Sequence, residues 1–143
     1  MATPYYEVDQ RFLNKITDDL LLTMSEEGLE KTIYMYRNSA EVRFKKCEKL
    51  STKNEEEKQY DTELTNEELE ILSSYMVIEW LRQRINNIRL LKQGMSTKDY
   101  TIYSQANHLD TLIKLRKDTE QEVDRMLISY TYSENDLSAL GKV

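Results

Sequence analysis

Thr65-Asn66-Glu67-Glu68-Leu69-Glu70-Ile71-Leu72 opens the stretch on which the fold turns. A threonine followed three residues later by a glutamate forms a capping box: the hydroxyl takes one free amide of a helix start and the carboxylate takes another. Behind it Leu69, Leu72, Met76, Trp80, Leu81, Ile85, Ile88 and Leu91 recur at spacings of three and four, the signature of one buried helix face. Gly94 suits the position just past a helix end. The expected helix is Asn66–Gln93, roughly 40 Å long at 1.5 Å per residue. A chain of 143 residues holds one core. Such a helix stays uncovered unless a second long helix lies beside it.

That partner is readable downstream. Ser96-Thr97-Lys98-Asp99 offers another cap, and Tyr100 to Tyr103 reads as a short helical or irregular stretch. Ser104 is then the expected N-cap of a last long helix, about Gln105–Tyr130, with Leu109, Leu112, Ile113, Val123, Met126, Leu127 and Tyr130 on its buried side. Arg116 and Thr119 interrupt the stripe, so its middle packs less well or meets a partner. The short link favours an antiparallel pair. Thr131 to Val143 follows as a tail whose sizeable apolar groups are Leu137 and Leu140. Thirteen residues are only marginally enough for a helix alone in water, so the tail is expected to order by docking on another polypeptide.

Upstream, Tyr6 to Ile16 fits a short helix with Val8, Phe12 and Ile16 on one side. Thr17-Asp18-Asp19 resembles a cap for a turn through Leu20, Leu21 and Leu22. Ser25 is the next N-cap, with Glu26 and Glu27 where the helix dipole favours acids. Leu29, Ile33, Tyr36, Ala40, Phe44 and Cys47 then predict a helix over Ser25–Lys49, its end crowded by Arg43, Lys45, Lys46 and Lys49. Leu50 to Leu64 is polar, charged and aperiodic, and reads as an exposed loop.

One proline and three glycines leave little material for turns, so long helices are the natural outcome. No apolar run approaches the roughly 18 residues of a membrane span, and no signal segment is recognisable, so synthesis in the cytoplasm is expected. The single cysteine, Cys47, excludes an intrachain disulfide. Between Ser51 and Glu70 eight acids face two lysines, which accounts for the whole net charge of −6. A balanced body with one acidic segment argues against a duplex-gripping module, though not against a ring that DNA passes through.

The expectation for chemistry is that there is none: no enzyme activity, no cofactor and no metal. His108 is the lone histidine, and Cys47 lies on a different predicted helix. His108 and Asp110 do not share a helix face, and a glycine-rich phosphate loop is lacking. Ten tyrosines against two phenylalanines are more telling. Tyrosine suits surfaces buried on assembly, although edge-of-core packing explains it equally well. Glu55, Glu56 and Glu57 are explained by solvation, and Arg82, Arg84, Arg89 and Lys92 by the helix dipole. The functional alternative is that the acidic segment of one copy meets the basic helix end of the next. Tyr130 and Tyr132, where the tail leaves the bundle, and Leu137 and Leu140 within it complete the candidate partner-binding set.

Leu64 to Glu68 through Trp80, then Thr97-Lys98-Asp99-Tyr100, then Tyr103-Ser104-Gln105-Ala106-Asn107-His108-Leu109 resembles the head-to-tail adaptor, or neck, proteins of tailed phages of Gram-positive hosts. The likeness covers about the C-terminal two thirds. It implies a ring of about twelve copies beneath a portal protein, with a tail or stopper protein on the other side, DNA in the lumen and a C-terminal segment along the portal. The resulting expectation is an all-α chain: a small helical bundle over residues 1–130, with two long antiparallel helices, a crossing helix and extended termini, and a docking tail over 131–143. The expected place is the neck of a virion. The competing class is a small helical regulatory protein that inhibits a single partner.

Overall fold

A computed structural model describes residues 2–16, 24–94 and 99–134, with the backbone alone over 90–94, 99–107 and 133–134. In chain order the elements are β1 (Thr3–Pro4), α1 (Tyr5–Lys15), α2 (Glu26–Arg43), a 3-10 turn (Glu48–Ser51), β2 (Lys53–Asn54), β3 (Gln59–Tyr60), α3 (Asn66–Gly94) and α4 (Asp99–Glu134). The chain is mostly helical, as expected, but it is not all-α. Three two-residue strands form an antiparallel sheet in the order β1-β3-β2. The expected cap and turn over Thr17 to Leu22 lie outside the described residues, as do the link 95–98 and the tail from Asn135 onward.

The capping box that opens α3 is formed as read. The Thr65 amide donates to Glu68 Oε1 at 2.8 Å, and the Glu68 amide donates to Thr65 Oγ1 at 3.1 Å. Every residue from Ile71 to Leu81 is buried. A helix covered on all sides is a central one, and α1, α2 and α4 all pack on α3. Two of its buried polar residues are satisfied in different ways: Ser73 Oγ donates to the Glu70 carbonyl at 3.0 Å, and Glu79 pairs with Arg43 of α2 at 2.6 Å. Toward its C-terminal half only Ile85 and Ile88 continue the stripe among residues with described side chains.

The long pair is antiparallel, since Tyr130 near the end of α4 bonds Glu68 at the start of α3 while the 95–98 link joins the other ends. α4 begins at Asp99, so Ser104 is an interior residue and not its cap, and His108 stands well inside the helix. The weak middle is real. Between Leu112 and Val123 no residue of α4 is buried; Arg116 pairs with Glu120 at 3.2 Å, and Thr119 donates to the Leu115 carbonyl at 2.7 Å.

α2 starts at the expected cap, Ser25, whose Oγ accepts from the Gly28 amide at 3.1 Å. It ends at Arg43, six residues before the expected Lys49. Phe44 leaves helical geometry (φ −88°, ψ 62°) and turns its ring inward, 5.2 Å from Tyr130 and 6.1 Å from Tyr75. Burying that ring outweighs one more helical turn.

The segment Leu50 to Leu64 is exposed over most of its length, as expected, but it holds a small hairpin with Leu50, Tyr60 and Leu64 buried. Asn54 Oδ1 accepts from the amides of Glu56 and Glu57 at 3.0 and 3.1 Å, a side-chain turn that reverses the chain. Lys58 completes the reversal at φ 53°, in the left-handed region. The returning Tyr60 is fully buried, edge-on to Tyr5 at 4.9 Å, and its hydroxyl donates to Glu41 at 2.6 Å. β1 then pairs with β3, Thr3 opposite Tyr60 and Pro4 opposite Gln59. Pro4 leads directly into α1, which buries Tyr5, Val8 and Phe12.

Candidate functional site

The residues expected to bind partners are distributed over three separate surfaces. Glu55 is held within its own chain: it accepts from the Tyr5 hydroxyl at 3.2 Å and pairs with Lys53 at 3.4 Å. Glu56 and Glu57 are exposed at the hairpin turn. The rest of the acidic segment is split. Glu68 is buried, and Glu70 pairs with Arg11 at 3.3 Å and with Lys15. There is therefore no single acidic loop. Among the expected basic residues, Arg82 lies 3.5 Å from Glu79 one turn back on its own helix, and the Arg84 guanidinium sits 5.2 Å over the Trp80 ring. Arg89 is exposed and shares a stripe with Arg82, seven residues before it.

Tyr130 and Tyr132 part company. Tyr132 is 59% exposed, whereas Tyr130 is 4% exposed and points into the core. Tyr130 cannot face a partner while that pairing holds. Leu137 and Leu140 lie outside the described residues.

Sequence reasoning missed the most connected polar site. The Glu68 carboxylate, 1% exposed, accepts from the Thr65 amide at 2.8 Å, Lys49 Nζ at 2.9 Å, Tyr130 OH at 2.9 Å and Cys47 Sγ at 3.3 Å. One carboxylate thus ties the start of α3, the turn after α2 and the end of α4. Burial alone would raise its pKa; the donors from Thr65, Lys49, Tyr130 and Cys47 outweigh that and hold it down at about 2. The same burial, with the anion beside it, pushes the Tyr130 hydroxyl well above the usual tyrosine range. Only the capping box was a sequence signal here, and it explains one of the four donors.

Burial and the neighbouring Glu68 likewise push the Cys47 thiol up to about 11. Cys47 is buried, as expected, but it precedes the 3-10 turn and does not lie on a helix. Alkylation of Cys47 in the native chain at about pH 8 is expected to run at least a hundredfold slower than in denaturant, since the thiolate is the reactive form. Equal rates measured by mass spectrometry would mean that the Glu68 site is open.

A second polar group lies between α1, α2 and the hairpin. Arg37 is buried, its Nη1 donating to both oxygens of Asp9 at 2.7 and 2.8 Å and its guanidinium lying 4.2 Å over the Tyr5 ring. Burial lifts Asp9 above the usual carboxylate range against the pull of Arg37. Beside this pair Tyr5, Tyr34, Met35 and Arg37 line a groove of about 470 Å³ rimmed by Glu27, Glu30 and Lys58. Its rim charges are paired, Glu27 with Lys31 at 3.5 Å and Glu30 with Lys58, so it presents no free ionic group for a small ligand.

Among the described residues no group of three His, Cys, Asp or Glu side chains is placed to hold a metal ion. No described helix is long and apolar enough to cross a membrane. The sequence matches no family model, no curated protein and no solved structure.

Proposed function

We propose that this chain is a structural subunit that works by binding other polypeptides, and that it is a head-to-tail adaptor of a tailed phage. The observation that carries the reading is where the residues of the resemblance fall. The capping box opens α3, Trp80 is buried on α3, and Asp99, Tyr100 and the run to Leu109 lie at the start of α4. The resemblance therefore follows one structural unit, the α3–α4 pair. Outward from that pair stand Leu115, Ile128 and Tyr132, 47%, 58% and 59% exposed, apolar groups suited to contact with other chains. In a ring, the exposed Glu56 and Glu57 of one copy would face the Arg82 and Arg89 stripe of the next. Glu55 and Arg84, engaged within the chain, would contribute less. The ring would join a portal to a tail or stopper protein and sit in the neck of the virion.

The groove at Tyr5, Tyr34 and Met35 favours a second reading, a small helical regulatory protein that holds one partner. Electron microscopy of the purified protein with its portal separates the two. Rings seated on the portal are expected for the adaptor; a single copy on one partner supports the regulator. Deleting Ser133 to Val143 is expected to leave the helical circular dichroism signal near normal, because every described buried residue precedes it, while abolishing portal attachment. Unchanged attachment of the truncated chain would remove the tail from the interface.

A further inference from the structure

Outside its acidic segment the chain is balanced only as a sum of opposite regions. Residues 82–117 hold eight lysines and arginines against Asp99 and Asp110, a net of +6, while the rest of the chain carries −12. From Trp80 to Lys98 no acid occurs. The fold keeps this charge together. α3 and α4 are antiparallel with the link 95–98 between them, so the second half of α3 lies beside the first half of α4. Arg82, Arg89, Lys114 and Lys117 are exposed there. Arg89, Lys114 and Lys117 make no ion pair with a described residue, whereas Arg82 lies 3.5 Å from Glu79 and Arg116 is held by Glu120. Arg89 stands roughly 15 Å along α3 from Glu79. That is about two Debye lengths at physiological salt, so the acids nearer the start of α3 are largely screened from it.

The open surface of α3 in this region is polar throughout. Arg82, Asn86, Asn87 and Arg89 are exposed, and the apolar groups Ile85 and Ile88 are buried. The exposed large apolar groups nearby, Ile113 and Leu115, lie on α4. A protein partner is anchored by apolar and aromatic groups at the centre of its interface. This side of α3 offers none, so a neighbouring copy that met it would do so through charge alone. Arginine, lysine and asparagine are side chains that hold phosphate oxygens. Single-stranded nucleic acid is held by stacking its bases on exposed aromatic rings. From Arg82 to Arg89 and from His108 to Lys117 there is no Phe, Tyr or Trp. A duplex, with about one negative charge per 1.7 Å of its axis, needs only the cations.

We infer that the end of the bundle formed by residues 82–94 and 99–117 is a binding surface for double-stranded DNA, held through its phosphates without reading sequence. Thirteen helical residues span roughly 20 Å, a length of duplex that carries about a dozen phosphates. In the ring proposed above, Glu56 and Glu57 of a neighbour would offset two of the six net charges and leave +4. DNA binding by the isolated chain and attachment to a portal can therefore fail independently.

Fluorescence anisotropy of the purified full chain with a labelled DNA duplex of about 20 base pairs tests this. Binding is expected in the micromolar range at about 50 mM salt and equal for two unrelated sequences. At about 200 mM it is expected to be weaker by roughly a hundredfold, as counterion release from about four phosphates requires. Arg89→Gln combined with Lys114→Gln and Lys117→Gln, all at exposed positions, is expected to keep the helical spectrum. It is expected to weaken binding at least tenfold at about 50 mM salt and to flatten the salt dependence. The same loss of charge elsewhere, Lys31→Gln with Lys45→Gln and Lys46→Gln, is expected to leave binding within about twofold. No binding up to about 100 μM at the lower salt overturns the proposal. So does an equal loss in both triple variants, which would be an effect of net charge, or a single strand of the same length bound more tightly than the duplex. If the basic residues serve only the acidic hairpin of a second copy, the first triple variant alters sedimentation and leaves DNA binding unchanged, and that outcome overturns it too.

Discussion

Replacing Glu68 with alanine is expected to destabilise the chain by about 3 kcal/mol, because it strands several buried donors at once. The Thr65 amide, the Tyr130 hydroxyl and the Cys47 thiol lose their acceptor, and Lys49 loses its counter-ion. Glu68→Gln, which keeps one carbonyl acceptor, is expected to cost less. The pH dependence has a definite sign. The carboxyl titrates at about 2 in the fold against 4.5 as its ordinary value. Its contribution is therefore complete above about pH 4.5 and is lost as pH falls toward 2. Glutamine cannot be protonated in this way, so Glu68→Gln is expected to be less stable than the parent at about pH 7 but to lose less on going to about pH 3. Urea midpoints at the two pH values decide it. Parallel losses in parent and variant would show that Glu68 is not held ionised.

Trp80→Ala is expected to cost about 3–5 kcal/mol, the usual range for deleting a large buried aromatic. Trp80 is 6% exposed on the central helix, between the buried Met76 and Ile85. The Arg84 guanidinium over its ring adds about 0.5–1 kcal/mol that the alanine also forfeits. A fall in Tm of about 10 °C or more follows for a chain of this size. Trp80→Phe, which keeps an aromatic ring in the site, is expected to lose less than half as much. An unchanged Tm for Trp80→Ala would move this side chain from the core to a binding surface.

The helix starts written in local chemistry were legible. Ser25 and the Thr65–Glu68 box are short-range signals, and both caps are formed. The stripe from Leu69 to Ile88 was legible because its spacing repeats over more than about five turns. Local rules failed where distant residues decide. Nothing near Phe44 announces a helix end, since the cause is the contact of its ring with Tyr75 and Tyr130. The hairpin was hidden because strands of two residues show no alternation, and its one strong apolar group, Tyr60, stands alone among polar neighbours. The split of the acidic segment was illegible for the same reason. Glu68 and Glu70 are assigned by Lys49, Arg11 and Lys15, residues between 19 and 59 positions away in sequence. Of the candidate surface, Tyr132 and Arg89 are exposed, and Tyr130, read both on the buried side of the last helix and at a partner surface, is buried, because burial of a tyrosine at a helix end depends on what it meets.

The order of the small sheet also sets a timetable for synthesis. Thr3 and Pro4 pair with Gln59 and Tyr60, and Thr3 Oγ1 accepts from the Leu64 amide at 2.8 Å. α1, complete at Lys15, finds its counterpart Glu70 only after a further 55 residues are joined. At about 5–20 residues per second that is a wait of several seconds. Through it Tyr5 and Phe12 have only Arg37 and Tyr36 of α2 to meet. A helix made before the central one is thus fully seated only after the central one has begun, and until then its apolar side is only partly covered.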